Sequence, residues 1–447
     1  MQSKILILHD YFLYKGGGER LVISLAKNLG ADVATAFIAK DAFDPREHGI
    51  TTIELYKEKP WSQVPGFRYL QVQLSFLFKT KFVQNYDVII YSGDCLMAVI
   101  RSLGWRRLFG RVNQTSPPVL SSAEERQNRE PSPWQRRGQG EVSPRVNIAY
   151  MHTPPRHLYD LYQERLRSYP LWKKIIFVPF VLFNRWRFEF LCRKLDVIVT
   201  NSKNTQARIK KYLGMESVVV YPPCDTLPFR NLLPNDCHSD RPSQGAEESR
   251  NPTMTRSLDY ARDDSESDYF FSWARLYDVK RVPMIVEAFT KMPEKKLVVA
   301  SSGPELEKIK KLAQGHPNIT ILGWISDEQL VEYLGKCLAT IYIPMAEDFG
   351  MTAVESMQAG KPVIAAAEGG LLEIIDDTKN GLLLKSGFSV NDVCAAVRQL
   401  TPERASAMES ACAETAKKFS EKSFVEGMKK VIEEFPPEAG PPMAERM

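Results

Sequence analysis

The fold is decided by Glu347-Asp348-Phe349-Gly350-Met351-Thr352-Ala353-Val354-Glu355-Ser356-Met357-Gln358-Ala359-Gly360-Lys361-Pro362-Val363-Ile364-Ala365. An apolar strand, Ala339–Ile343, ends just before it at Pro344. A loop carrying Glu347 and Gly350 follows, then a helix over Thr352–Ala359, then a second apolar run over Pro362–Ala365. Strand, helix and strand in that order form a parallel unit, and continuous apolar strands mean a sheet covered on both faces.

The same alternation extends both ways. Upstream, Tyr269–Trp273, Lys296–Ala300 and Ile319–Leu322 read as strands, with helices over Pro283–Thr290, Glu305–Gln314 and Asp327–Lys336. The first half repeats it with Lys4–His9, Tyr86–Tyr91, Val146–Met151, Asp196–Thr200 and Val218–Tyr221. Two successive α/β runs of similar size predict two Rossmann-like domains with parallel sheets facing across a cleft. The expected boundaries are 1–229 and 269–417, followed by a helix over 418–436 and a disordered tail over 437–447. Residues 106–145 and 230–268 break the pattern. Both are rich in Pro, Ser, Gln, Arg and Glu and lack periodicity, so they read as disordered insertions, the second in the inter-domain linker. Inert filler and a binding or regulatory loop are both open for them.

Composition excludes several classes. The chain has 447 residues, 44% hydrophobic, 25% charged, with a net charge of +5, which does not mark a nucleic-acid binder. Its seven cysteines are widely spaced with no CxxC pair, which fits a reducing cytoplasm and argues against a zinc site. The start, Met1–Phe12, reads as a buried strand and not a signal peptide. No run is long enough to span a bilayer. The Lys- and aromatic-rich stretches Phe67–Phe82 and Leu171–Arg187 suit either a membrane interface or a buried helix with a basic edge.

Chemistry concentrates in a few loops. Free N–H groups at the helix start near Met351 attract an anion or sugar oxygens, and Glu347 and Glu355 supply two acceptors for hydroxyls. Taken alone, two glutamates beside a helix start are as readily solvated surface charges. In Ser272-Trp273-Ala274-Arg275-Leu276-Tyr277-Asp278-Val279-Lys280, two cations five residues apart in a strand-end loop can converge on one diphosphate, Arg275 as a fork and Lys280 as a point charge. Gly16-Gly17-Gly18 sits between the first strand and first helix, where glycine permits close ligand approach, although it is neither a GxGxxG nor a P-loop. His152, in Tyr150-Met151-His152-Thr153-Pro154-Pro155-Arg156, follows a strand and can donate to a sugar hydroxyl. Gly303 and Gly370 lie in further strand-end turns. Asp263-Asp264 and Asp376-Asp377 lack the DxD spacing of a metal–diphosphate bridge.

The Glu347–Ala365 stretch, with Arg275 and Lys280 upstream, resembles the signature of the family 4 retaining glycosyltransferases, which have the GT-B fold. That resemblance implies that Glu347 contacts the donor sugar and Glu355 the ribose. It implies that Arg275 and Lys280 meet the leaving diphosphate, with Gly17, Gly18, Gly303, Phe349, Gly350, Met351 and Gly370 around the donor. Ala274 stands where the family usually has Gly. The His152 segment resembles a mannosyltransferase-like subgroup of bacterial surface-glycan assembly. The implied function is transfer of a hexose, with mannose from GDP-mannose favoured, to a glycan or polyprenyl-linked acceptor. The implied transfer retains configuration and needs no metal or other cofactor. Contact with the inner face of the plasma membrane goes with that acceptor. The terminal helix would cross back to the first domain. A GT-B nucleotide-sugar epimerase and an inactivated binding protein are the alternatives.

Overall fold

The computed structural model describes residues 3–13, 16–40, 42–58, 65–108, 145–224 and 269–435. Most of the two predicted insertions, 106–145 and 230–268, and the tail 437–447 lie outside these residues. The chain forms two compact units, Met1–Pro223 with Lys422–Met447, and Cys224–Glu421.

Among its described residues the first unit holds seven strands: β1 (Ile5–His9), β2 (Asp32–Thr35), β3 (Thr52–Glu54), β4 (Val88–Ser92), β5 (Val146–Met151), β6 (Val197–Thr200) and β7 (Val218–Val219). Their spatial order is β3-β2-β1-β4-β5-β6-β7 and every pairing is parallel. Its helices are α1 (Gly17–Leu29), α2 (Pro65–Phe78), α3 (Val99–Leu108), α4 (Tyr162–Ser168), α5 (Leu171–Cys192) and α6 (Lys203–Leu213). Alternation along each strand feeds two cores. Leu6, Leu8, Ile89 and Tyr91 pack with Val72 and Phe76 of α2, Val181 and Phe188 of α5, and Ile209 of α6. Ile7, Val88 and Ile90 face the other way, onto Leu21, Val22 and Leu25 of α1.

The second unit repeats the plan with β8 (Tyr269–Ser272), β9 (Lys296–Ala300), β10 (Ile319–Gly323), β11 (Ala339–Tyr342), β12 (Val363–Ala366) and β13 (Gly381–Leu384). These run in the order β10-β9-β8-β11-β12-β13, again all parallel. The helices are α7 (Val282–Thr290), α8 (Leu306–Ala313), α9 (Asp327–Lys336), α10 (Met351–Gln358), α11 (Val390–Gln399) and α12 (Pro402–Lys417). In each sheet the winding reverses once, between β1 and β4 and between β8 and β11. Crevices for ligands open at the carboxyl ends of such neighbours.

The last helix, α13 (Glu421–Glu434), returns to the first unit as expected. Phe424, Val425, Met428 and Val431 complete the core beneath α1. The boundaries differ by a few residues from the sequence reading. Cys224 and residues 418–421 go with the second unit, because the Cys224 N–H bonds Phe419 O at 3.0 Å and the Phe419 ring packs on Phe349. The edges of the 106–145 stretch are also folded: α3 runs through 106–108, and Arg145 donates to Ser102 O (3.1 Å) and Gln84 O (2.8 Å).

Gly427 lies inside α13, where glycine costs about 1 kcal/mol against alanine. A Cβ there would sit 2.8 Å from the Val220 side chain. Gly427→Leu is therefore expected to overpack this contact and lower stability by roughly 1–3 kcal/mol. Urea unfolding midpoints at an unchanged m-value would check it.

Candidate active site

In the second unit the loops after β8 and β11 flank the reversal point, and they meet. After β8 the chain passes Arg275 and makes a short 3-10 turn, Asp278–Lys280. Lys280 Nζ lies 2.7 Å from Glu347 Oε2, sixty-seven positions later in the chain, and donates to the Tyr342 hydroxyl at 2.9 Å. The pair is about one-fifth exposed, so water screens it only in part. Tyr342 ends β11 and is buried. Burial first, then the Glu347 charge, pushes its phenol well above the usual range, so it stays protonated. Its hydroxyl donates to Glu347 and also bonds Thr352, and the Glu355 charge reaches it as well. Glu355 is therefore close to the same group, in the second turn of α10.

Backbone contacts lock the neighbouring loops. Leu276 N–H bonds Ser302 O at 3.1 Å, and Glu305 N–H bonds Leu276 O at 3.0 Å. A Cβ on Gly303 would fall 2.6 Å from Leu276 O, so the Arg275 loop and the loop after β9 can touch only through glycine. Met345 N–H bonds Val279 O at 2.7 Å, and Gly370 N–H bonds Glu347 O at 2.8 Å. A Cβ on Gly370 would lie 2.4 Å from Asp348 O. Arg281 pairs with Glu368 at 3.1 Å, and Glu368 also accepts from Ala346 N–H. Gly350 precedes α10 with no side-chain cap, leaving the amides around Met351 without one.

Of the expected residues, Lys280 and Glu347 pair here, Glu355, Gly303, Gly350, Met351 and Gly370 lie in or beside the same loops, and His152, Gly17 and Gly18 belong to the first unit. Phe349 is 2% exposed and its ring is 5.2 Å from that of Phe419. The ring serves the interior, and only the Phe349 backbone is left to face a ligand. Arg275 is exposed in the same loop as Lys280. Tyr342, which joins Lys280 to Glu347, was not singled out in the sequence. An OH-bearing residue closing a buried strand beside the reversal point was the available signal.

The first unit builds a separate cluster at its own reversal point. Gly16 caps α1, and Gly17 and Gly18 form its first turn. A Cβ on Gly18 would meet nothing within 4 Å, so the space above it is open. His152, just past β5, has Nε2 3.3 Å from Ser92 Oγ. Burial, and secondarily His9, push its pKa down to about 4, so the ring is neutral near pH 7. Beside it lie two carboxylates missed by the sequence reading: Asp10 after β1 and Asp94 after β4. Asp94 N–H bonds Asp10 Oδ2 at 3.3 Å, and Gly93 leaves room for the Asp10 carboxyl. Burial raises both to about 6, with mutual repulsion adding at Asp94. The charges of Arg68 and Arg187 act in the opposite sense on Asp10 and Asp94 respectively. The sequence signal was a polar residue directly after an apolar strand, at His9-Asp10 and Ser92-Gly93-Asp94.

Residues 260–419, most of the second unit, match the family model for glycosyl transferases group 1. An uncharacterized glycosyltransferase of Methanocaldococcus jannaschii, MJ1178, is 37% identical over 26% of this chain and 34% of its own length. The alpha-1,3/1,6-mannosyltransferase ALG2 of Dictyostelium discoideum is 27% identical over 47% of this chain and 53% of its own. The chain thus spans about half or less of these curated relatives. In structure, Anabaena Alr3699/HepE in complex with UDP and glucose is similar with a TM-score of 0.62, over 96% of this chain and 99% of that one, at 17% identity. The fold is therefore GT-B.

The raised Asp94 pKa sets a pH dependence. Its carboxyl ionises at about 6 in the folded chain against 3.8 in the unfolded one, so the folded state bears a penalty that is full above pH 6 and absent below 3.8. Asp94→Asn is expected to stabilise at pH 8 by on the order of 1–2 kcal/mol, allowing for partial solvation. That gain should fade as pH falls from 6 to 4. His152 acts in the opposite sense, losing stability as pH falls from 6.5 toward 4. Denaturant curves of the variant and parent at both pH values isolate the Asp94 contribution.

Proposed function

We propose that this chain is a retaining hexosyltransferase that uses a nucleotide-sugar donor, with GDP-mannose favoured, and a glycan or polyprenyl-linked acceptor. The observation that carries the reading is the Lys280–Glu347–Tyr342 cluster at the reversal point of the second sheet. Lys280 has three N–H donors, and Glu347 and Tyr342 take two. The third, with the Arg275 fork from the same loop, would meet the diphosphate of the donor. Glu347 would accept from a sugar hydroxyl and Glu355 from the ribose. The α10 amides near Gly350 and Met351 would add N–H donors.

In the proposed step the bond from the anomeric carbon to the diphosphate breaks. A bond to the acceptor oxygen forms on the same face. The acceptor proton passes to a diphosphate oxygen. Arg275 and Lys280 offset the charge that develops on the leaving group, which is why no metal is required in this reading. No side chain acts as a covalent nucleophile. Neutral His152 retains one N–H and would donate it to a sugar hydroxyl. The mannose preference is supported by the His152–Arg156 segment and by partial similarity to ALG2. A cytoplasmic location is proposed with it, and is supported by six described cysteines that are all buried free thiols.

A thermal-shift panel of GDP, UDP, ADP and their sugars should raise the unfolding temperature with one base. Arg275→Ala should lower kcat at saturating donor by about two to three powers of ten, as for loss of a group that stabilises developing charge. Turnover should survive excess EDTA, and the product anomer, read by NMR, should match the donor. Near-normal turnover in Arg275→Ala would remove that residue from the mechanism. A new nucleotide sugar formed without acceptor would point to epimerisation instead.

A further inference from the structure

The first unit exposes an apolar face that neither of its cores uses. On α2, Phe67, Leu70, Leu74 and Phe78 recur at helical spacing and are 44–65% exposed. On α5, Leu171, Trp172, Ile175, Ile176, Phe180, Leu182, Phe183 and Trp186 are 43–76% exposed. None of Leu171–Phe180 is buried, and most large side chains of the first half of α5 face solvent, while Phe177 packs on Tyr162 and Tyr169. Exposed apolar side chains in such number on neighbouring helices exceed what a soluble surface ordinarily shows.

The two helices are fixed side by side. Tyr69 OH donates to Asn184 Oδ1 at 2.8 Å, and Arg187 donates to Tyr69 OH at 2.5 Å and also to Gln73 Oε1. Phe180 packs edge-on to Tyr69, 6.2 Å between centroids, and is itself part of the exposed set. The face is therefore held in place by side chains behind it.

Its charge is one-sided. On α5 Lys173 is exposed and Lys174 half-buried, and the exposed Lys79 and Lys81 follow α2, Lys79 donating to Leu55 O at 2.8 Å. α2 has no acid, and the one acid of α5 is Glu189, near its far end. Lys173 lies 5.3 Å from the Trp172 ring centre. Rings and aliphatics bordered by lysines complement an anionic lipid interface, with rings among acyl chains and ammonium groups at phosphates. A second copy would bring the same lysines face to face. Among the described residues no helix is long and apolar enough to cross a membrane, so the fit is to a surface.

We propose that α2 and the first half of α5 dock the first unit onto an anionic bilayer surface. The inference goes beyond the transferase reading and stands on this surface alone. It also bears on the acceptor. Gln73 of α2 donates to Asp94 O at 2.9 Å, so the helix that would touch lipid also lines the Asp10–Asp94–His152 end of the sheet.

The full chain is to be sedimented with vesicles of phosphatidylcholine alone, or with about 30% phosphatidylglycerol. We expect partition at least tenfold greater onto the anionic vesicles. Ile175→Ser/Ile176→Ser should lower that partition about tenfold. Lys173→Glu/Lys174→Glu should remove the anionic preference. Unfolding temperatures of both variants should match the parent, since the altered side chains are largely solvent-facing. A parent that stays in the supernatant, or binds both vesicles equally, overturns the proposal. So does a parent dimer that the isoleucine variant splits in sedimentation velocity, which would make the face a self-interface. The nucleotide-induced thermal shift is read on the same samples. Its absence would sink the transferase reading and leave the vesicle result standing.

Discussion

Each parallel sheet must reverse its winding once, and that reversal governs the rest of the molecule. Where β8 and β11 lie side by side, their crossovers leave in opposite directions and the ends of both strands stay uncovered. The chain fills the gap with a cation from one loop and a carboxylate from the other. A half-buried ion pair loses solvation on both groups, and mutual attraction alone often fails to offset that. Here the Tyr342 hydroxyl bonds both partners, and the loop backbones are already fixed by Gly303, Gly370 and the Arg281–Glu368 pair. Side chains so held keep their geometry before any ligand arrives, which is what stabilisation of developing charge demands.

The first unit obeys the same constraint with different chemistry. At its reversal, between β1 and β4, His9, Asp10 and Asp94 occupy the strand ends, with His152 beside them at the end of β5. Burial disfavours the charged form of each, so the acids rise and the imidazoles fall. The two units thus present unlike surfaces from one architecture. One holds fixed opposite charges, and the other holds acids raised to about 6 beside imidazoles that burial keeps from protonating.

Much of this was legible in the chain. α9 is found residue for residue, because Ser326 and Gln329 form a capping box at its start and Cys337 ends it. Ser202 caps α6, its hydroxyl accepting from Thr205 N–H at 3.0 Å. The strands β2, β3 and β13 were not legible. Asp32–Thr35 and Thr52–Glu54 are three or four residues long and carry few large apolar side chains, so no period emerges. Gly381–Leu384 is apolar but equally short. The motif residues were readable because loops, glycines and charges recur in a fixed pattern. Tyr342, Asp10 and Asp94 were not, because each depends on which strands become neighbours, and pairing across the reversal leaves no local trace. Phe349 shows the converse: membership of a motif did not reveal that its ring points inward.

The return of α13 has a further consequence for how the polypeptide comes to be folded. The second unit is a single continuous stretch, complete once Glu421 has left the ribosome. The first unit, although most of it is synthesised earlier, lacks Phe424, Met428 and Val431 until the end. Until then the core around Ile7, Val33 and Ile148, which α1 already joins, is incomplete. During synthesis the earlier-made half is therefore the later to mature, with an apolar surface that a chaperone would recognise for as long as the second half takes to emerge.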